Sequence, residues 1–298
     1  MVNPTLKTKW GVMMISDSIF TLHRYKILNA QYDEPIYLFP FGDMHRFAPL
    51  CDLEKWLEFL EWAKNKPNAY FIGMGDYDDL ASWSERKALM NTCLHETTQQ
   101  TLDDIFVSRV NKLCEEIGFM KGKLIGLVEG NHHGILQSGM TTTQMMCDKL
   151  KCKYLGVSAF IRLSFEMRGS VRSCIDMWVH HGKGASRMVG GSLNTVEQMA
   201  QISNAQICLM GHDHKKSVGF LTSLYLTDGG GNINLHHRKT LLGRTGSFLK
   251  GYVDNCPSYV ARGAMRPTDL GVLKIELTPK RDRKQGKDNT YIDLHCSI

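Results

Sequence analysis

Along the chain, short apolar runs end in glycine or a polar donor, and longer amphipathic stretches separate them. The clearest run is Tyr70-Phe71-Ile72-Gly73-Met74-Gly75-Asp76. It is too short for a helix, so it predicts a buried strand that delivers Asp76 to the carboxyl edge of a sheet. Three more runs repeat the construction: Ile36 to Phe41 before Gly42-Asp43-Met44-His45, Leu124 to Val128 before Glu129-Gly130-Asn131-His132, and Ile207 to Met210 before Gly211-His212-Asp213-His214. A looser fifth case is Met177-Trp178-Val179 before His180-His181-Gly182. Strand ends of this kind are where open α/β sheets bind ligands.

The stretches between the runs read as helices and further strands. Asp52 caps a helix with Leu53, Trp56, Leu57, Leu60 and Ala63 on one face, closed by Pro67, which makes a strand-helix-strand crossover into Asp76. Ser84 to Ile117 is helical in character, with Leu102, Ile105, Phe106, Val110, Leu113 and Ile117 at helical spacing and Gly118 as a stop. Thr141 to Leu150 and Asn194 to Ser203 predict shorter helices, and Phe160 to Phe165 alternates as a half-buried strand should. The first thirty-odd residues, with apolar Trp10 to Ile15 and Ile19-Phe20, predict an edge strand or two. After His214, short strands around Val218 to Leu226 and the turn Gly229-Gly230-Gly231 predict an antiparallel sheet packed beside the parallel one. Lys280-Arg281-Asp282-Arg283-Lys284 and Lys287 form a basic turn before a last strand, Tyr291 to Leu294. That turn reads either as a contact for a phosphate backbone or, more plainly, as a solvated hairpin tip.

At 43% hydrophobic and 22% charged, the composition excludes a disordered chain and supplies a sizeable core. The donor clusters extend from residue 43 to residue 214 and must meet to act together, which favours one domain over residues 1–298. Within it, residues 36–226 carry the motifs and residues 227–298 are β-rich. A net charge of +6 favours polyanionic partners without demanding one. The nine cysteines are scattered singly, which implies reduced thiols and a cytoplasmic setting, with Cys174 and Cys208 as small core residues inside strands. No window approaches the length of a membrane span, so no membrane partner is expected.

Aspartate, asparagine and histidine donors together describe a site for hard-to-borderline divalent metals. Cysteine is absent from every cluster, which argues for catalytic ions with exchangeable positions, manganese first, with iron, zinc or magnesium as alternatives. One candidate set is Asp43, His45, Asp76, Asn131, His181, His212 and His214. Seven donors exceed what one ion needs, and two ions sharing a carboxylate, roughly 3.5–4 Å apart, fit better. A lone histidine at a strand end is more often hydrogen-bonded structure than a ligand. The ordered set of five blocks carries the argument here. His95, His236 and His237 read as surface or core histidines, and Trp56 and Trp62 as helix packing.

The ordered blocks Asp-x-His, Gly-Asp-x-x-Asp, Gly-Asn-His, His-Gly and Gly-His-x-His resemble the calcineurin-like metallophosphoesterase superfamily over residues 36 to 226. The layout looks like compact bacterial and phage members related to DNA-repair exonucleases. The resemblance implies a four-layer α/β/β/α sandwich of mixed sheets, with a dinuclear metal site at the carboxyl ends of its strands. It implies that Asp43, His45 and His214 hold one metal, that Asp76 bridges, and that Asn131, His181 and His212 hold the other. His132 would bind phosphate or protonate the leaving group, and Asp79 would orient a ligand or His132, its alternative being a helix cap. His181 is preferred over His180 because it directly precedes Gly182. One departure is His133, where the family usually has an acidic residue. The implied activity is phosphoester hydrolysis by a metal-bridging hydroxide, with nucleic acid (DNA or RNA) or nucleotides as the first substrate class. The alternatives are a phosphomonoesterase, including a protein Ser/Thr phosphatase, and an inactive binding scaffold.

Overall fold

A computed structural model describes residues 21–80, 83–91, 94–184, 186, 188–229, 231–256, 258–284 and 287–298. The first half contains β1 (Thr21–Ile27), β2 (Ile36–Phe41), α1 (Leu53–Lys64), β3 (Ala69–Gly73), α2 (Trp83–Asn91), α3 (Glu96–Glu116), β4 (Leu124–Leu127) and α4 (Thr142–Leu150). Then follow β5 (Lys153–Tyr154), β6 (Ser158–Met167), β7 (Ser170–His180), α5 (Val189–Ile202), β8 (Ile207–Met210), β9 (Lys216–Gly229) and β10 (Asn232–Ser247). The chain ends with α6 (Tyr259–Arg262), β11 (Gly271–Val272), β12 (Lys274–Lys284) and β13 (Lys287–Ser297). Trp10 to Ile15 and Ile19-Phe20 lie outside the described residues, whereas β1 does supply an edge strand.

The molecule is mixed α/β, built on two mixed sheets. One has six strands in the order β13-β12-β2-β3-β4-β5, and the other has seven, β1-β6-β7-β8-β10-β11, with β9 paired to β10. β2, β3, β4 and β5 run parallel, and so do β7, β8 and β10. Alternation along the strands sends one set of side chains from each sheet into a shared apolar cluster: Leu38, Ile72 and Val128 from the six-stranded sheet meet Ile161, Met177 and Leu209 from the other. The outer face of the six-stranded sheet packs Phe39, Phe41 and Phe71 on Trp56, Val110 and Met146 of α1, α3 and α4. The outer face of the other packs Trp178, Cys208 and Leu242 on Val196 and Met199 of α5.

Local signals explain several element ends. Asp52 accepts the Lys55 backbone N–H and starts α1, and Thr141 with Gln144 forms a reciprocal capping box on α4. The α1 face is narrower than its spacing implies, because Trp56, Leu60 and Ala63 are buried while Leu53 and Leu57 are exposed. Those two sit about 60° and 100° round the helix from Trp56, on the flank of the stripe. Trp56 packs within the core, and Trp62, more exposed, sets its ring edge-on to Phe39 at 5.1 Å.

Other expectations need correcting. The single helical stretch from Ser84 is two helices, and His95 is the N-cap of the second, accepting from the Thr97 N–H. Gly118 does not simply stop a helix; it opens a 3-10 turn over Gly118–Met120. The strands after His214 do not form a separate sheet. They make one long hairpin whose second strand, β10, pairs parallel with β8 and so extends the same sheet. Cys208 is buried, but Cys174 is exposed on β7, because its neighbours Ser173 and Ile175 take the inward positions. The basic segment 280–284 lies inside β12, and β13 begins at Lys287, so the hairpin is longer than the sequence indicated. β12 runs antiparallel to β2 with Leu277 beside Ile36, which carries residues 278–284 past the amino end of β2, away from the end bearing Asp43.

Candidate metal centre

Each donor follows a strand, and the strands come from both sheets: β2, β3 and β4 supply Asp43, His45, Asp76, Asp79, Asn131 and His132, while β7 and β8 supply His181, His212 and His214. The site therefore forms where the carboxyl ends of two facing sheets meet, not along the edge of one. Close backbone approach makes this possible. A side chain at Gly130 would collide with the Asp76 backbone and carboxylate, and one at Gly75, whose φ is +102°, would collide with the His181 ring. Asp43, His45, Asp76, His212 and His214 all have positive φ, at 49°, 45°, 47°, 74° and 59°. Non-glycine residues rarely adopt this conformation, and such strain concentrates at functional sites.

Every sequence-derived candidate joins one cluster. Asp43, His45 and His214 form one group able to hold a metal ion, and Asp76, His181 and His212 form a second. In the first, His45 Nε2 lies 3.3 Å from His214 Nε2, and Asp43 Oδ1 lies 3.7 Å from the same His214 nitrogen. In the second, Asn131 Oδ1 lies 2.8 Å from both His181 Nε2 and His212 Nδ1. Asp76 Oδ2 stands between the groups, 3.8 Å from His45 Nε2 and 3.3 Å from His181 Nε2, while its Oδ1 accepts the His132 backbone N–H at 2.9 Å. A third group joins His45, Asp79 and His132: Asp79 Oδ1 lies 2.7 Å from His132 Nδ1 and 3.5 Å from His45 Nδ1.

The donor chemistry fits a cation. Asp43 Oδ1 is fully buried and has no hydrogen-bond partner, and His45 Nε2 faces His214 Nε2 at 3.3 Å, two nitrogen lone-pair sites that a shared cation would satisfy. His181 Nδ1 is 2.8 Å from the Met74 carbonyl, which fixes that proton and leaves Nε2 toward the site. Without a cation, burial pushes the Asp43 carboxyl up to about 7, against the pull of the His181 imidazole. Desolvation, reinforced by His45, drives His214 down to about 3, and His212 is lowered by burial and by His181. Burial also opposes charge on His181, yet the Asp76 and Asp43 carboxylates outweigh it and lift the ring to about 9. Asp76 itself stays low, because the His181 and His45 imidazoles overcome the cost of its burial. Asp79 is held low by His132 and then His45.

Several holding residues were not found from sequence. Arg86 of α2, almost fully buried, donates from Nη1 to the Asn131 and His133 carbonyls at 2.7 and 2.9 Å. With the His133 contact to the Gly130 carbonyl at 2.8 Å, this fixes the loop in which a histidine replaces the expected acid. Arg244 of β10 is buried and donates to the Gly211 and Ser192 carbonyls at 2.8 and 3.0 Å, with Asp213 at 3.5 Å. Ser247 Oγ donates to the Asp43 carbonyl at 2.7 Å. Arg244 had only a weak signal, a charge two residues after the apolar pair Leu241-Leu242 in a stretch that also holds Thr245 and Ser247. Arg86 had none, since it sits in a polar helix. His180 accepts the Gly182 N–H at 2.7 Å and belongs to neither metal group, although β7 ends at His180 rather than at His181.

A cleft of about 760 Å³ opens on Asp76, His132, His212 and His214, and its lining also includes Lys215, Lys216 and Arg266 together with Asp213 and Asp269. Lys216 pairs with Asp269 at 2.9 Å. No protein-family model matches this chain, and no curated protein sequence matches it either. Among the described residues, no helix is long and apolar enough to cross a membrane.

Proposed function

We propose that this protein is a dinuclear metal-dependent phosphoester hydrolase of the calcineurin-like kind, acting on phosphodiesters of nucleic acids or nucleotides. The observation that carries the reading is the position of Asp76, whose Oδ2 faces His45 of one metal group and His181 of the other. The stacking of apolar clusters supports a four-layer α/β/β/α sandwich, with helices outside both sheets. Two divalent ions, manganese first, would activate water and neutralise charge on the transferring phosphoryl group.

The protein's own residues do the rest. Asp43, His45 and His214 would hold one ion, Asn131, His181 and His212 the other, and Asp76 faces both groups. Asp79 Oδ1, 2.7 Å from His132 Nδ1, offers that ring a carboxylate partner, and His132 lines the cleft, where it can serve the leaving oxygen. The size of the cleft and the basic residues on its wall favour an extended phosphodiester over a small monoester.

The test is hydrolysis of aryl phosphomonoester, aryl phosphodiester, single- and double-stranded DNA, RNA and cyclic nucleotides, each with manganese, by wild type and by Asp76→Asn. Diesterase activity that Asp76→Asn abolishes while the fold is kept supports the proposal. Monoesterase activity alone would reassign the substrate class. No activity, together with no metal after purification, would leave a binding scaffold.

A further inference from the structure

Opposite the metal centre, β9 and β10 run out past the amino end of the neighbouring β8. β10 is parallel to β8, with Leu241 beside Ile207 and Arg244 beside Met210. Residues 232–240 therefore project beyond the amino end of β8, away from His212 and His214. There they pair with β9 alone, in unbroken register from Lys239 beside Thr222 to Asn232 beside Gly229. A free two-stranded ribbon is marginal in water.

Side chains on the arm alternate between two faces. Leu241 points into the cluster between the sheets, so Lys239, His237, Leu235 and Ile233 share its face, as do their β9 partners Thr222, Leu224, Leu226 and Asp228. Leu224, Leu226, Ile233 and Leu235 are 69%, 66%, 72% and 64% exposed, so the apolar inner face of the sheet continues outward with no cover among the described residues. The other face is polar and closed on itself: the rings of Tyr225 and His236 stack at 5.4 Å, and Arg238 lies over Tyr225 at 4.9 Å.

We propose that this arm is a dimerisation element, packing its apolar face on the same face of a second copy with the strands antiparallel. The face is self-complementary in that arrangement. Asp228 stands at the tip, and Lys239, which makes no ion pair among the described residues, stands at the base. A two-fold axis across the strands sets each tip over the other's base, carboxylate near ammonium, and brings Leu226 over Leu224 in the middle. A single acidic or basic partner would match only one end of the face. β9 also has no charged residue from Ser217 to Thr227, no proline and no bulge, the usual devices that keep a long edge strand solitary. The arm faces away from the cleft, so both metal centres of the dimer stay open.

Sedimentation equilibrium of the full chain tests this. Wild type should be a dimer at micromolar concentration. Leu226→Lys should raise the dissociation constant at least about tenfold, with an unchanged melting temperature and circular dichroism. Asp228→Lys should also weaken it, whereas Thr227→Lys, on the opposite face, should leave it intact. A wild type that stays monomeric overturns the proposal, including the case in which the chain's own Trp10 to Ile15 segment covers the arm. A dimer unaffected by Leu226→Lys overturns it too. Equal loss in Thr227→Lys would replace face packing with edge pairing, and no effect of Asp228→Lys would overturn the antiparallel order.

Discussion

Under the proposed function, His132 separates chemistry from metal binding. Its ring touches Asp79 and His45 but belongs to neither group that gathers around Asp76 or Asp43, and its backbone N–H steadies the Asp76 carboxylate. Replacing it with alanine keeps that N–H. His132→Ala should therefore retain metal, measured by elemental analysis, and lose about 10²–10⁴-fold in maximal rate, more for poor leaving groups than for good ones. Loss of metal would contradict the role, and an equal loss across leaving groups would favour phosphate positioning instead. The paired histidines give a second contrast. His181→Ala removes an imidazole 3.3 Å from Asp76 and should empty one metal position, whereas His180→Ala removes only the acceptor of the Gly182 N–H and should cost much less activity. The reverse ranking would move the ligand to His180. At this scale the sequence was most informative, because a glycine followed by a donor after an apolar run encodes both the strand end and the place of the donor at the sheet edge. It could not reveal the positive φ angles shared by five donors, which come from the crowding of two sheets.

Elements hold those donors, and their contribution was harder to read. β10 crosses behind the loop of His212 and His214, and its Arg244 ties that loop to α5 through the Gly211 and Ser192 carbonyls and Asp213. Arg244→Met keeps the volume but leaves Asp213 with Lys215 alone, at 3.8 Å, and unpairs the Gly211 and Ser192 carbonyls, a loss of up to about 3–5 kcal/mol when one partner of a buried pair is removed. Urea unfolding should report it, and activity should fall because His212 and His214 lose their position. A variant as stable as wild type would show that Ser192 and Lys215 suffice to hold Asp213. Helix and strand periodicity located α1, α4 and the motif strands, since local pattern decides those. It failed for β9 and β10, read as a separate antiparallel sheet, because nothing local tells a strand which sheet to join. The parallel pairing of Leu241 with Ile207 is a long-range choice made by the shared apolar cluster.

For the whole molecule, the cluster that could hold metal carries an unpaired buried carboxylate oxygen, which costs stability in the absence of a cation. Asp43 and Asp76 are buried among four imidazoles, of which His181 and His45 supply the counter-charge to Asp76, while Asp43 Oδ1 has no hydrogen-bond partner among the described residues. The buried, unpartnered Asp43 oxygen opposes folding through desolvation, and cations that bind only the native state reverse this. At a free concentration about a hundredfold above its dissociation constant, one ion adds about 2.7 kcal/mol. Manganese should therefore raise the melting temperature of the chelated protein by several degrees. Asp43→Asn tests the same balance from the other side. It replaces a buried negative charge with an amide that can keep accepting the His212 N–H and turn its NH₂ toward His214 Nε2, which lies 3.7 Å from the present Oδ1. The metal-free variant should then melt higher than metal-free wild type, yet gain less from manganese and hydrolyse little. If Asp43→Asn instead lowers the melting temperature of the metal-free protein and keeps the full manganese response, Asp43 is a structural carboxylate and the first metal group loses its oxygen ligand.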